Sequence, residues 1–134
     1  MADKLHFDLV SPERRLFSGD VDQVVVPGEE GDFGVLPTHA PFMSTIRSGA
    51  ITVMDGSETS RTFIHGGFAE VTPAGLTILA EEAIPVSEID VEATTQLLAD
   101  TREDLDDAKD DEHERARCEA EIAKLEAMLA AVAN

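Results

Sequence analysis

Two hydrophobic periods divide the chain. Through about residue 85, short segments alternate apolar and polar positions and are punctuated by Gly, Pro and Asp. Beyond it the apolar residues recur at three- and four-residue intervals, and neither Gly nor Pro occurs again. Residues 5–10 place Leu5, Phe7 and Leu9 on one face and stop at Ser11-Pro12. Residues 14–17 predict a second strand, halted by Ser18-Gly19-Asp20, and the β-branched run 21–26 a third. A brief strand over 33–36 follows, then segments at 45–46 and 50–54, with Asp55-Gly56 as a hairpin signal. Residues 59–65, 68–72 and 76–80 complete the series, separated by Gly66-Gly67, read as a tight turn, and by Pro73-Ala74-Gly75. Short strands with a turn signal after each predict a β-sandwich or barrel. The connections are too short for crossover helices, so the sheets are expected to be antiparallel.

The last third predicts two helices. Ser87 reads as an N-cap ahead of acidic residues that suit a helix N-terminus. Val91, Thr94, Leu98, Thr101 and Leu105 form one stripe; Cys118, Ile122, Leu125, Leu129 and Val132 form a second with coiled-coil-like spacing. Asp110-Asp111-Glu112 is the expected turn, and so short a link makes the helices antiparallel neighbours. The fold class is therefore α+β: an antiparallel β-sandwich over residues 1–86, then an antiparallel two-helix hairpin over 87–134.

Composition narrows the chemistry. The formal net charge is -18 over 134 residues, a field that repels nucleic acid and anionic lipid surfaces. No apolar run approaches the roughly 20 residues a membrane span needs, so no direct membrane insertion is expected. Cys118 is the lone cysteine, which excludes an intramolecular disulfide and a cysteine-based zinc site. His6, His39, His65 and His113 lack metal-ligand spacing, so no metal, cofactor or catalytic residue is expected.

The densest run of special backbone positions is residues 26–41, with three glycines, three prolines and the carboxylates Glu29, Glu30 and Asp32. It predicts an exactingly shaped loop rather than a linker. The run Pro27-Gly28-Glu29-Glu30-Gly31-Asp32-Phe33-Gly34-Val35-Leu36-Pro37-Thr38-His39-Ala40-Pro41 closely resembles the epsilon subunit of F-type ATP synthases. So do Val10-Ser11-Pro12, Leu16-Phe17-Ser18-Gly19 and Ile64-His65-Gly66-Gly67-Phe68-Ala69-Glu70-Val71. The resemblance covers residues 4 to about 90 strongly; the tail matches in architecture more than in sequence.

That resemblance implies a non-catalytic central-stalk (rotor) subunit. Its sandwich grips the gamma subunit and meets the c-ring of the membrane sector, coupling the two during proton-driven ATP synthesis. It implies a peripheral position on the cytoplasmic face of the bacterial inner membrane. It places Asp32, flanked by Glu29, Glu30 and Gly31, at the c-ring interface, and Ser11 and His39 at the gamma interface. Some members bind ATP through Ile or Leu, Asp, two variable residues, Arg and Ala. The run here is Ile89-Asp90-Val91-Glu92-Ala93-Thr94, in which Ala93 replaces the arginine. Without that guanidinium beside Asp90 and Glu92, no ATP binding is expected.

In braking members, basic residues on the second helix meet acidic loops of the catalytic beta subunits, so the resemblance makes the alpha/beta catalytic subunits candidate partners of the hairpin. Residues 88–134 hold 15 acidic and 5 basic side chains, a net charge of -10. Like-charge approach opposes that docking, so the hairpin is expected to stay folded down and to inhibit hydrolysis weakly, if at all. Two other classes stand beside this reading. A jelly-roll-type enzyme or metal-binding module needs convergent His and carboxylate ligands. A free-standing acidic adaptor needs a basic partner, and purifies alone rather than with gamma and the c-ring.

Overall fold

The computed structural model describes residues 3–13 and 15–134. They divide into two units, one ending at Pro85 and one beginning at Val86. The first unit contains β1 (Leu5–Val10), β2 (Arg15–Val21), β3 (Gln23–Gly28), β4 (Gly31–Val35), β5 (Phe42–Thr45), β6 (Gly49–Asp55), β7 (Glu58–Thr72) and β8 (Gly75–Pro85). Alternation in β1 sets its inside, since Leu5, Phe7 and Leu9 are all buried. They join one core with Val24 and Val26 of β3, Ile51 of β6, Ile64 of β7 and Ile78 of β8.

The strands pair in the order β2-β1-β8-β7-β6-β3-β4, with β5 also on β7. The long β7 serves two partners along one edge. Glu58 to Ile64 pair with β6, and Phe68 to Val71 pair with β5. The change of partner falls at Gly66-Gly67. These glycines lie inside β7 and do not form the expected tight turn. Both have positive φ (70° and 153°), and a Cβ on Gly67 would sit 2.5 Å from the Leu79 carbonyl oxygen. Glycine is needed there because the strand bends across a neighbouring backbone.

Two further expectations are corrected. One pairing is parallel: β1 runs alongside β8 from Phe7↔Leu76 to Val10↔Leu79. Short connections force antiparallel pairing only on consecutive strands, and β1 and β8 are joined through the rest of the domain. β2 also continues through Ser18-Gly19-Asp20, whose residues pair with Asp8, Phe7 and His6. Ladder bonds to β1 override the turn preference of those residues. Arg14, the expected start of that strand, lies outside the described residues.

In the second unit a short 3-10 turn, Val86–Glu88, precedes α1 (Val91–Ala108) and α2 (Glu112–Ala133). Ser87 sits in that turn and is not the cap. Asp90 is: its carboxylate accepts from the Ala93 N–H at 3.0 Å. Asp111 caps α2 in the same way, accepting from the Glu114 N–H at 3.1 Å. The link is therefore residues 109–111, one step earlier than expected, and Lys109 takes a positive φ of 47° where glycine is usual.

The buried stripe of α1 is Thr94, Leu98 and Thr101, with Val91 exposed and Leu105 half-buried. Each threonine hydroxyl donates to the carbonyl four residues back, at 2.7 Å. In α2 the stripe runs through Cys118 and Leu125 to Met128 and Ala131, leaving Ile122, Leu129 and Val132 half-buried. The face that meets α1 sets the seam, and toward the end of α2 it falls one residue before the expected Leu129 and Val132.

Candidate interaction surfaces

Cross-strand partners share a face of the sheet. The register therefore places Thr45, Phe68, Leu79 and Val10 in one row across β5, β7, β8 and β1, pointing away from the core. The next row holds Met43, Glu70, Thr77 and Asp8. An outward sheet face is ordinarily polar. Here Leu79 is 50% and Met43 59% exposed, with Phe68 and Val10 half-buried on either side of Leu79. Ser11 follows directly on Val10 and lines, with Pro12, Phe68 and Leu79, a groove of about 590 Å³.

His39 lies in the loop between β4 and β5. Its Nδ1 is 2.9 Å from the Leu36 carbonyl oxygen and its Nε2 2.5 Å from that of Thr72. Two carbonyl acceptors call for two N–H donors, which only the imidazolium supplies. The Thr72 carbonyl raises the histidine pKa most; the Leu36 and Pro37 carbonyls add to it, and partial burial opposes them. The ring fastens this loop to the end of β7, beside a pocket of about 360 Å³ lined by Phe33, Leu36, Phe42 and Val71. Phe33 and Phe42 meet edge to face there, centroids 5.1 Å apart.

The carboxylates of the glycine-rich run sit on the β3–β4 hairpin. Gly28 pairs with Gly31 and Pro27 with Asp32, so Glu29 and Glu30 form a two-residue turn at its tip. Gly31 has φ 135°, and a Cβ on Gly28 would come within 2.7 Å of the Gly31 carbonyl oxygen. Asp32 is not solitary. Its Oδ1 lies 2.5 Å from Nη2 of Arg47, whose Nη1 donates to the Gly28 carbonyl at 2.7 Å. Arg47 escapes sequence reading because it stands alone in a segment with no motif.

Ile89, Asp90 and Ala93 come together at the start of α1, where Asp90 accepts from Ala93 and its carbonyl accepts from Thr94. Helix capping thus accounts for Asp90 on its own. His65 Nδ1 lies 2.7 Å from the Ser48 hydroxyl, which ties the segment before β6 to β7. On the outer face of β1, His6 bridges Asp8 and Asp20 at 3.2 and 3.1 Å. Among the described residues, no cluster of three His, Cys, Asp or Glu is placed to hold a metal ion. No helix among them is long and apolar enough to cross a membrane.

A sandwich with an apolar row on one outer face, a carboxylate-tipped hairpin and an appended pair of helices has the make-up of a subunit that docks on other proteins. Residues 4–86 match the β-sandwich domain of ATP synthase delta/epsilon chains, and residues 90–134 match the C-terminal domain of ATP synthase epsilon chains. The chain belongs to the ATP synthase epsilon chain family.

It is 71% identical to the ATP synthase epsilon chain of Maricaulis maris over 134 residues, all of both chains. It is 53% identical to that of Parvibaculum lavamentivorans over 120 residues, 89% of this chain and 91% of the relative. Among solved structures it resembles a chain of the Euglena gracilis mitochondrial ATP synthase, in an assembly of OSCP, F1 and c-ring. The TM-score is 0.86 at 26% identity, covering 98% of this chain and 83% of that one.

Proposed function

We propose that the chain is a non-catalytic rotor subunit of the central stalk that couples gamma to the c-ring, on the cytoplasmic face of a bacterial inner membrane. The observation that carries this is the outward apolar row of Val10, Phe68 and Leu79 with Met43 beside it, a surface suited to burial against a protein. Ser11 adjoins the row, and the loop held by His39 leads into the strand that carries Met43. We assign this face to gamma. The β3–β4 hairpin, with Glu29, Glu30, Gly31 and Asp32, is assigned to the polar loops of the c-ring. Family membership supports both assignments, and the presence of a c-ring in the Euglena assembly supports the second.

Leu79→Glu tests the reading, because a carboxylate on that half-exposed outer position burdens an interface and spares the core. The variant is expected to fold with an unchanged melting temperature and to co-purify with gamma at least about tenfold less. Undiminished co-purification overturns the assignment of this face. The helical unit is proposed to inhibit hydrolysis weakly and not to bind ATP, since Ala93 stands where ATP-binding members carry arginine.

A further inference from the structure

The hairpin assigned to the c-ring is built by a residue outside it. Arg47 follows Ile46, which bridges to Gly28, and its own backbone N–H donates to the Pro27 carbonyl at 3.0 Å. From that anchored position its guanidinium reaches both strands. One arm donates to the Gly28 carbonyl of β3 and the other meets the Asp32 carboxylate of β4. A planar guanidinium holds its donors in a fixed fork. Engaging both partners therefore sets the Asp32 side chain relative to the strand opposite.

The pair is exposed, at 46% and 60% for the two side chains. Exposed ion pairs add little to stability. What this one contributes is geometry and charge. It orients the Asp32 carboxylate and offsets its charge, so the tip presents Glu29 and Glu30 as its full negative charges.

We infer that Arg47 is a positioning residue for the c-ring contact. Asp32 meets its partner as an oriented Arg–Asp pair that offers oxygen acceptors to hydrogen-bond donors. Glu29 and Glu30 supply the direct attraction for basic side chains of the partner loop. The inference rests on the assignment of this hairpin to the c-ring.

The test uses ATP synthase assembled with the full-length chain, and reads protons pumped per ATP hydrolysed beside the melting temperature of the isolated chain. The variants are Arg47→Ala, Arg47→Lys, Asp32→Ala and the double change Glu29→Gln/Glu30→Gln. Arg47→Ala is expected to lower the coupling ratio about threefold, as Asp32→Ala does, with melting unchanged. Arg47→Lys keeps the charge and loses the fork, so it should fall between. The double glutamine variant should lower the ratio as well.

Wild-type coupling in Arg47→Ala, with Asp32→Ala impaired, overturns the role of Arg47 and leaves the c-ring assignment standing. Full rescue by Arg47→Lys overturns the fork in favour of charge alone. A large fall in melting temperature with Arg47→Ala assigns the residue to folding instead. Wild-type coupling in all four variants removes the c-ring assignment itself.

Discussion

Leu9 and Ile78 are partners in the sandwich although most of the domain separates them in the chain. In the helical unit, Asp90 meets Ala93 and Asp111 meets Glu114 within a single turn. The sandwich is held by apolar burial between distant strands, and each core side chain is shared among several elements. The hairpin is held by local caps and a narrow seam. Two of the three buried residues of α1 are threonines, and residues 88–134 carry a net charge of -10 that repels itself. A scaffold that must present fixed surfaces needs the first kind of construction. A segment held mostly by short-range contacts opens at lower cost.

The largest effect is expected from the first kind. Ile78 is fully buried in β8. Ile78→Ala should cost about 2–5 kcal/mol, through lost burial and the cavity left behind. Chemical denaturation followed by sandwich signals measures it. A loss below about 1 kcal/mol would mean that the core closes over the gap and is looser than its burial implies.

The hairpin offers the matching break. Asp111→Ala removes the acceptor for the Glu114 N–H and should cost about 1 kcal/mol. Faster amide exchange over the first turn of α2 reads it, with exchange in β7 and β8 unchanged. Asp90→Ala should act likewise on α1. Equal effects throughout the chain would abolish the contrast between the two units.

These differences also decide what the sequence shows. Strand β1 is legible because its alternation is local, and the helical stripes because their period is. The β1–β8 pairing has no local signature, since it joins the two ends of the domain. Gly66-Gly67 reads as a turn because the same pair that ends strands also lets one strand bend across its neighbour. Ser87 and Asp90 are both competent caps, and hydrogen bonding to Ala93 selects Asp90. Lys109 adopts a conformation its residue type does not advertise. At the candidate sites, Ser11, Asp32 and His39 stand out through their motifs. Arg47 and the outward apolar row do not, because register and folding bring them together.

A smaller effect separates the loop on the sandwich from the strands beneath it. Both ring nitrogens of His39 face carbonyl oxygens, so its pKa is raised above the ordinary 6.5. Below pH 6.5 the ring is protonated in folded and unfolded chains alike, and both bonds contribute in full. As pH rises through the elevated folded value the proton is lost, and that stabilisation goes with it. His6, raised chiefly by Asp20, titrates in the same direction. Comparison with His39→Gln isolates the loop: the wild type should exceed the variant by more at pH 6 than at pH 8.5. A difference independent of pH would show that one neutral hydrogen bond suffices.

The smallest effect is expected where the helical unit is removed altogether. Inhibition of hydrolysis by this unit requires it to approach other subunits, and its 15 carboxylates make contact with another acidic surface unfavourable. Arg102 and Arg117 are already engaged, the first with Glu126 across the two helices and the second with Glu114 within α2. Truncation after Ser87 should therefore leave ATP hydrolysis by the assembled enzyme within about twofold of the intact complex, because the attraction that would make its loss felt is weak. The sandwich retains its core, so the truncated chain should still co-purify with gamma. Several-fold activation on truncation would place the hairpin among strong inhibitors despite its charge. The seam of α1 and α2, rather than their surface charges, would then be the place to look for the contact.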